Sequence, residues 1–283
     1  MITRELFTRG LASLILVSIC RTGLADQVSM SDWVIERSNL SHAVEEGQSV
    51  AVVNPYGDIR ARSGDDGEIA VYAVIQRHRD DNRGIPEITF AKDNDKLTVG
   101  VAYPGPAGMT LPERFAKRRT DIAVFVPPTL ELTLKTQDGR AESKGHKEHL
   151  VVQTRAGRII AATKGTIEAR TDSGSIKVEF RNRTWNGAST LESKSGDISV
   201  FLMSDPSVSA VIDTAGTITT DYSIDIEHTP GSSRKIARAE IGSAQHELNI
   251  SSAAGAVRLG RVFDMVPATL PPAESKTGNE TDG

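Results

Sequence analysis

The sequence has one cysteine in 283 residues, Cys20, and aromatic residues make up only 5% of it. A single thiol excludes an intrachain disulfide, and with it the cross-linked scaffolds of small secreted domains. It also excludes cysteine-ligated zinc and iron–sulfur sites. With so few rings, a core has to be assembled mainly from Val, Ile, Leu and Ala. An excess of positive charge is lacking as well. The formal net charge is −4, and it becomes −6 without residues 1–25, which hold Arg4, Arg9, Arg21 and Glu5. A mildly acidic chain is not a nucleic-acid binder by charge.

What is present begins with an export pattern. Arg4 and Arg9 flank a short basic region, Leu11 to Cys20 is apolar but too short to span a bilayer, and Gly23-Leu24-Ala25 offers small residues for cleavage before Asp26. Residues 1–25 are therefore expected to be a signal peptide, placing the chain in the periplasm, at the cell surface or outside the cell. Lipidation of Cys20 is the alternative, although Ile19 is a poor residue before a lipidated cysteine. Residues 26–44 read as an N-terminal lead-in. Residues 263–283, with three prolines and few apolar residues after Leu270, read as a disordered tail.

Between them, seven glycines close one short pattern: Gly57, Gly139, Gly157, Gly174, Gly196, Gly216 and Gly255. Three positions before them stand Asn54, Thr136, Thr154, Thr171, Ser193, Asp213 and Ser252. Asn, Asp, Ser and Thr favour the start of a β-turn and glycine its end, where positive φ is often required. Apolar residues alternate on both sides, as in Leu150 and Val152 before Gly157 and Ile159 and Ala161 after it. That period of two is a half-buried strand pattern. From Gly139 to Gly216 the glycines are 18, 17, 22 and 20 residues apart, and a second breaker falls between most of them.

The repeat predicts an all-β single domain over 45–262, a parallel β-helix or β-solenoid of short strands with glycine turns. An antiparallel β-sandwich of hairpins is the alternative. Ile159, Ile176, Ile198 and Ile218 are expected to form an internal ladder. Gln76 to Pro86 and Gly105 to Thr120 read as loops, and Asp221 to Gln245 as an excursion from the repeat.

Gly57-Asp58-Ile59 and Ser195-Gly196-Asp197-Ile198, joined by Val124-Phe125-Val126-Pro127-Pro128 and followed by Leu130, Leu132 and Leu134, resemble the bacterial DUF-type family of β-strand-repeat, adhesin-like proteins. The resemblance covers roughly residues 45–262. It implies an exported or envelope-associated protein with a β-helical body and no assigned catalytic residues.

Candidate chemistry is sparse. Asp58, Asp138, Asp172 and Asp197 lie near the turn glycines and could gather for calcium, but the equivalent positions elsewhere hold Ala156, Thr217 and Ala256, so turn capping is the better account. His146 and His149 are three apart on what reads as a solvated corner. Two clusters suit an interaction surface. Arg114, Lys117, Arg118 and Arg119 surround Phe115, and Arg181, Arg183 and Trp185 occupy the longest regular spacing. Trp185 could also fold back as a cap over neighbouring coils.

These observations point to a non-catalytic exported protein that needs no cofactor or metal and serves adhesion or scaffolding in the envelope. Its expected partners are an envelope protein or a glycan, with peripheral membrane contact. The alternative is a protein that binds or degrades polysaccharide.

Overall fold

A computed structural model describes residues 32–228 and 230–262. The expected signal peptide, Cys20 and the expected disordered tail lie outside these described residues. The described chain is all-β apart from one short helix.

The N-terminal part contains β1 (Trp33–Ala43), β2 (Ser49–Tyr56), β3 (Ile59–Ser63), β4 (Glu68–His78), β5 (Glu87–Asp93), β6 (Lys96–Ala102), α1 (Leu111–Phe115) and β7 (Arg118–Val126). A regular stretch follows with β8 (Glu131–Asp138), β9 (Ala141–His146), β10 (Leu150–Thr154), β11 (Ile159–Thr163), β12 (Ile167–Thr171), β13 (Ile176–Phe180), β14 (Ser189–Ser193) and β15 (Ile198–Leu202). The last part holds β16 (Val208–Thr214), β17 (Ile218–Thr220), β18 (Asp225–His228), β19 (Lys235–Ile241), β20 (His246–Ser252) and β21 (Val257–Arg261).

Two large mixed sheets face each other, one of 10 strands and one of 11, and neither closes on itself. In the regular stretch the chain alternates between them. Odd strands β9, β11, β13 and β15 pair in parallel in one sheet, and even strands β8, β10, β12 and β14 do so in the other. Each pair of strands joined by a glycine turn therefore forms one rung. Alternate side chains of every rung are buried between the sheets, as in Ile159, Ala161 and Thr163 of β11. The parallel register stacks like on like, Ile159 beside Ile176 and Ile176 beside Ile198. Antiparallel pairing appears only toward the ends, in β1 with β4, β4 with β7, β5 with β6, and β19 with β16 and β18.

The glycine turns stack in a single column. A Cβ built on Gly139 would lie 2.0 Å from the carbonyl oxygen of Gly57; on Gly157, 1.6 Å from that of Gly139; on Gly174, 1.8 Å from that of Gly157. Gly196 sits in the same way on Gly174, Gly255 on Gly196, and Gly216 on Gly255. Gly57 itself sits under the carbonyl of Thr120. Glycine is required here because no side chain fits between rungs, and not chiefly for a left-handed backbone.

The polar partners complete the column. The Thr171 hydroxyl accepts the N–H of Gly174 at 3.0 Å, that of Ser193 accepts from Gly196 at 2.8 Å, and that of Ser252 from Gly255 at 2.9 Å. Several of these hydroxyls also donate to the glycine carbonyl of the neighbouring rung, Thr136 to Gly57 at 3.2 Å and Ser252 to Gly196 at 3.0 Å. Gly216 departs from the expected pattern. Its N–H bonds Thr214, two positions back, while Asp213 faces outward and pairs with Arg234.

Rung order differs from chain order at both ends. The C-terminal rung, β20 and β21, is inserted between β14/β15 and β16/β17, so Val257 separates Ile198 from Ile218 in the expected isoleucine ladder. The β2/β3 rung is likewise inserted between β6/β7 and β8/β9. The 221–245 excursion forms β18 and β19, with β19 returning antiparallel to β16. The expected loop from Gln76 begins later because β4 runs to His78, and the Gly105 to Thr120 loop contains α1 and the start of β7. Within the lead-in, β1 forms an edge strand paired with β4 along its whole length.

Gly174→Ala is expected to lower stability by more than about 3 kcal/mol, since the Gly157 carbonyl can yield only if a whole rung shifts. Gly67→Ala provides the contrast. It has φ 83° and open space at Cβ, so only the backbone strain of about 1–2 kcal/mol applies. Chemical denaturation of both variants checks the difference, and equal losses would contradict the packing account.

Candidate functional site

The segments after β4 and β6 fold over the end of the glycine column and are tied together by a buried charge. Asp81 is fixed by Arg118, whose Nε donates to its Oδ2 at 2.6 Å, and by Arg83, whose Nε donates to its Oδ1 at 2.6 Å. The Arg118 and Asp81 side chains are 0% and 1% exposed. Arg118 also donates to the Pro104 carbonyl at 2.9 Å, and Arg83 reaches the carbonyls of Glu113 and Ala116 at the end of α1. At the start of α1 the Glu113 carboxylate accepts the Thr110 N–H at 2.8 Å. A charge this deep is tolerated because Asp81 is paired with two guanidinium groups, although the Arg118 Nη2, 2.6 Å from Asp81 Oδ2, makes no aligned hydrogen bond.

This cap positions three rings. Phe115 stacks on Tyr56 with centroids 5.3 Å apart and meets Tyr103 edge-on at 5.1 Å. Burial pushes the Tyr103 hydroxyl up to about 12; it stays protonated, donating to the Tyr56 carbonyl and accepting the Thr120 N–H at 3.1 Å. Beside them opens a groove of about 790 Å³, walled by Trp33, Ile35, Tyr56 and Phe115, with Arg119 and Arg155 among its lining residues. Arg119 lies 5.9 Å from the Tyr56 ring centroid and is held by Asp58 at 2.6 Å and Asp121 at 2.8 Å. Burial works against its charge, but these two carboxylates outweigh burial and raise its pKa. The Arg155 guanidinium has no hydrogen bond or ion pair among the described residues. Apolar walls beside oriented cations suit a ligand with an apolar or ring surface and an anionic group.

The seven residues singled out in the sequence are not brought together. Lys117 and Arg119 line the groove, and Lys117 pairs with Asp80 at 2.6 Å. Arg118 lies in the groove wall but is fully buried by Asp81, so it is part of the cap and not of an interaction surface. Arg114 is half-buried and donates to the Met109 carbonyl at 3.3 Å. Arg181 and Arg183 stand exposed in the segment between β13 and β14, on the edge opposite the glycine turns, with Arg181 paired to Glu179. Trp185 is 4% exposed, stacked on Phe180 at 4.4 Å and close to His246 at 5.1 Å. It has the capping position and offers no ring to a partner.

His146 is corrected in the same sense. It is buried, its Nε2 is unpartnered among the described residues, and burial pushes its pKa down to about 4. His149 instead meets the Thr166 hydroxyl at 2.8 Å. Three of the four turn carboxylates are occupied too. Asp58 accepts the Arg140 N–H at 2.9 Å, Asp197 the Ala256 N–H at 2.8 Å, and Asp172 pairs with Lys194 at 2.7 Å. No group of three or more His, Cys, Asp or Glu able to hold a metal occurs among the described residues. Trp33 and Ile35 carry no motif; only the turn positions of Tyr56, between Asn54 and Gly57, and of Arg155, between Thr154 and Gly157, could have flagged the groove.

Residues 128–259 match the model of the Toastrack DUF4097 family, which bears out the DUF-type resemblance read from the sequence. No curated protein matches the chain. Among solved structures, a candidate cell adhesion protein from Clostridium sporogenes is similar at 13% identity over 80% of this chain and 100% of that one, with a TM-score of 0.44. A candidate adhesin from Bacteroides fragilis is similar at 11% identity over 79% of this chain and 97% of that one, with a TM-score of 0.38. Another from Parabacteroides distasonis shares 12% identity over 80% and 97%, with a TM-score of 0.31.

Two groups make stability sensitive to acid. Burial would raise the Asp81 pKa, but the hydrogen bonds from Arg118 and Arg83 prevail and hold it far below the ordinary 3.8. Its contribution is therefore complete above the unfolded value and lost as pH falls below about 4. The His146 pKa is depressed from 6.5 to about 4, so its neutral form stabilises the fold above 6.5 and that contribution is lost on the way down to about 4. Melting temperature against pH should fall across both ranges. Asp81→Asn is expected to cost about 3–5 kcal/mol at neutral pH and to flatten the lower range, while His146→Gln flattens the upper one. Separately, Trp185 in a Trp33→Phe background is expected to emit at the short wavelengths of a buried indole. Emission typical of a solvated ring would contradict its capping position.

Proposed function

We propose that this Toastrack-matching chain is an exported, non-catalytic envelope protein, a β-solenoid whose stacked rungs form a rigid wall and whose groove makes an adhesin-like or scaffolding contact. The observation that carries this reading is the use of the turn side chains. Thr136, Ser193, Thr214 and Ser252 donate to glycine carbonyls of neighbouring rungs. Asp58 and Asp197 accept backbone N–H groups from neighbouring rungs. These hydroxyls and carboxylates, which hydrolytic chemistry could otherwise draw on, are committed to holding rungs together.

The alternation of the chain between two parallel stacks supports the solenoid. Export is supported by the basic, apolar and small-residue order of residues 4–25. Among the described residues no helix is long and apolar enough to cross a membrane. The groove supports the contact role, because it places ring surfaces beside the unpaired Arg155 guanidinium, a combination suited to an envelope glycan or an acidic protein segment.

The test is retention of the protein at low salt by envelope fractions from which the lipid has been extracted. Ile35→Asp combined with Arg155→Glu is expected to release it while leaving thermal melting nearly unchanged, because neither side chain anchors the cap. Retention equal to wild type would remove the groove from the reading. Release of reducing ends or unsaturated products from any acidic or neutral polysaccharide by the purified protein would overturn the non-catalytic assignment.

A further inference from the structure

The outer face of the 10-stranded sheet carries a charge pattern that the chain's net charge conceals. Arg60, Arg62, Lys144, Lys177 and Arg258 all sit at outward positions of β3, β9, β13 and β21. Registers place Arg60 beside Glu142, Arg62 beside Lys144, Lys177 beside Ser199 and Ser199 beside Arg258. The cations thus lie in two adjacent rows that cross the strands, with Arg62 and Lys144 on neighbouring strands, Lys177 and Arg258 two strands apart, and Arg60 three strands from Lys177.

The carboxylates on this face are shared and outnumbered. Glu142 meets Arg62 at 2.6 Å, Lys144 at 3.1 Å and Arg140 at 3.9 Å. Asp58 meets Arg119 at 2.6 Å, Arg140 at 3.4 Å and Arg60 at 3.9 Å. Glu179 meets Lys177 at 3.0 Å and also Arg181. Each of these three acids orients two or three bases; Asp121 adds a second contact to Arg119 at 2.8 Å, and positive charge is still left over. On the 11-stranded sheet the pairs are one to one, Arg170 with Glu192 at 3.2 Å and Lys194 with Asp172 at 2.7 Å. Charge is segregated by sheet although the whole chain is acidic.

Apolar side chains stand among these cations. Tyr72 and Phe125 are 47% and 37% exposed and meet edge-on at 5.6 Å. The Phe201 ring lies between Lys177, 5.3 Å from its centroid, and Arg258, at 5.5 Å. Ile160 lies half-buried beside Lys177.

We propose that this sheet face docks flat on an anionic phospholipid bilayer. Headgroup phosphates meet the rows of Arg and Lys, and Tyr72, Phe125 and Phe201 settle at the headgroup level, where aromatic rings are favoured. A bilayer fits better than a single polyanionic chain because the cations span a broad sheet surface, and the rings between them gain from an apolar interior that a sugar acid lacks. The groove opens on the same sheet, where Ile35, Gln76 and Arg119 lie in register, but Lys144, Lys177 and Arg258 line none of it, so the two assignments are tested on different side chains.

The test is co-sedimentation of the full chain with vesicles of equal parts phosphatidylcholine and phosphatidylglycerol, against vesicles of phosphatidylcholine alone. Binding is expected only to the anionic vesicles, with release near about 0.5 M salt. Each cation contributes roughly five-fold to partition. Lys144→Gln/Lys177→Gln/Arg258→Gln is therefore expected to weaken binding roughly 100-fold. Lys135→Gln/Arg170→Gln/Lys194→Gln, on the opposite sheet, is expected to bind as wild type. Lys177→Gln alone, expected to lose roughly five-fold, replaces the triple variant if circular dichroism shows that one unfolded. Ile35→Asp/Arg155→Glu is expected to keep vesicle binding. Wild type that ignores anionic vesicles, a folded 144/177/258 variant that binds undiminished, or capture by a soluble acidic polysaccharide without vesicle binding each overturns the proposal.

Discussion

The approach of each turn glycine to the carbonyl oxygen of the rung before it governs the geometry of the whole molecule. With a Cβ at Gly157 or Gly174 only 1.6 or 1.8 Å from that oxygen, the rungs could not close to sheet spacing on this edge. Because the turns stack directly, the strands leaving them on both sides are held in register, and isoleucine falls on isoleucine in the sheet beyond. A slip of one residue would turn every buried side chain outward. The threonine and serine hydroxyls reinforce this contact by bonding their own glycine N–H and, in several rungs, the neighbouring glycine carbonyl. Backbone polar groups that would otherwise be stranded at a buried corner are thereby satisfied.

The two ends of the described chain are held differently. The β20/β21 rung has a rung on both sides, so fraying from it must break two interfaces, whereas β1 is an edge strand paired with β4 alone. At the first end the column stops at Thr120, whose carbonyl stands over Gly57 and accepts the Asn54 Nδ2 at 2.7 Å. Thr120 is held there by β7 and by the Asp81, Arg83 and Arg118 cluster beside it. That cluster stands where the next glycine turn would lie and uses charge in place of close backbone packing, which is specific in geometry and unforgiving of loss.

Such a scaffold leaves its outer surfaces to vary independently of its core. Inward positions and turns are filled by what stacking requires, whereas outward positions are constrained only by solubility and contact. On this molecule they differ by sheet, with shared carboxylates and surplus cations on one and single pairs on the other. The groove forms where regular stacking gives way to the cap, because only there do rings from the N-terminal strand, the first turn and α1 converge.

Much of this was legible in the residues. The seven glycines, their polar partners and the flanking period of two are local features, and a β-turn and the strands it joins are set within a few residues. The same locality explains the departures. Nothing near Val257 says that it will stand between Ile198 and Ile218, since that depends on the excursion through β18 and β19 folding back on β16. Arg118 read as part of a basic surface because Asp81, 37 residues away, is invisible to any local pattern. Trp185 and His146 were exposed-looking corners until Phe180 and the neighbouring rungs covered them. The sequence by itself determined the rung, because close stacking and turn hydrogen bonds are encoded in consecutive residues. Only the tertiary structure decided rung order, the buried cap, the groove and the charge of each face, because those depend on which distant segments meet, and burial changes the energy of a charge far more than its neighbours in sequence do.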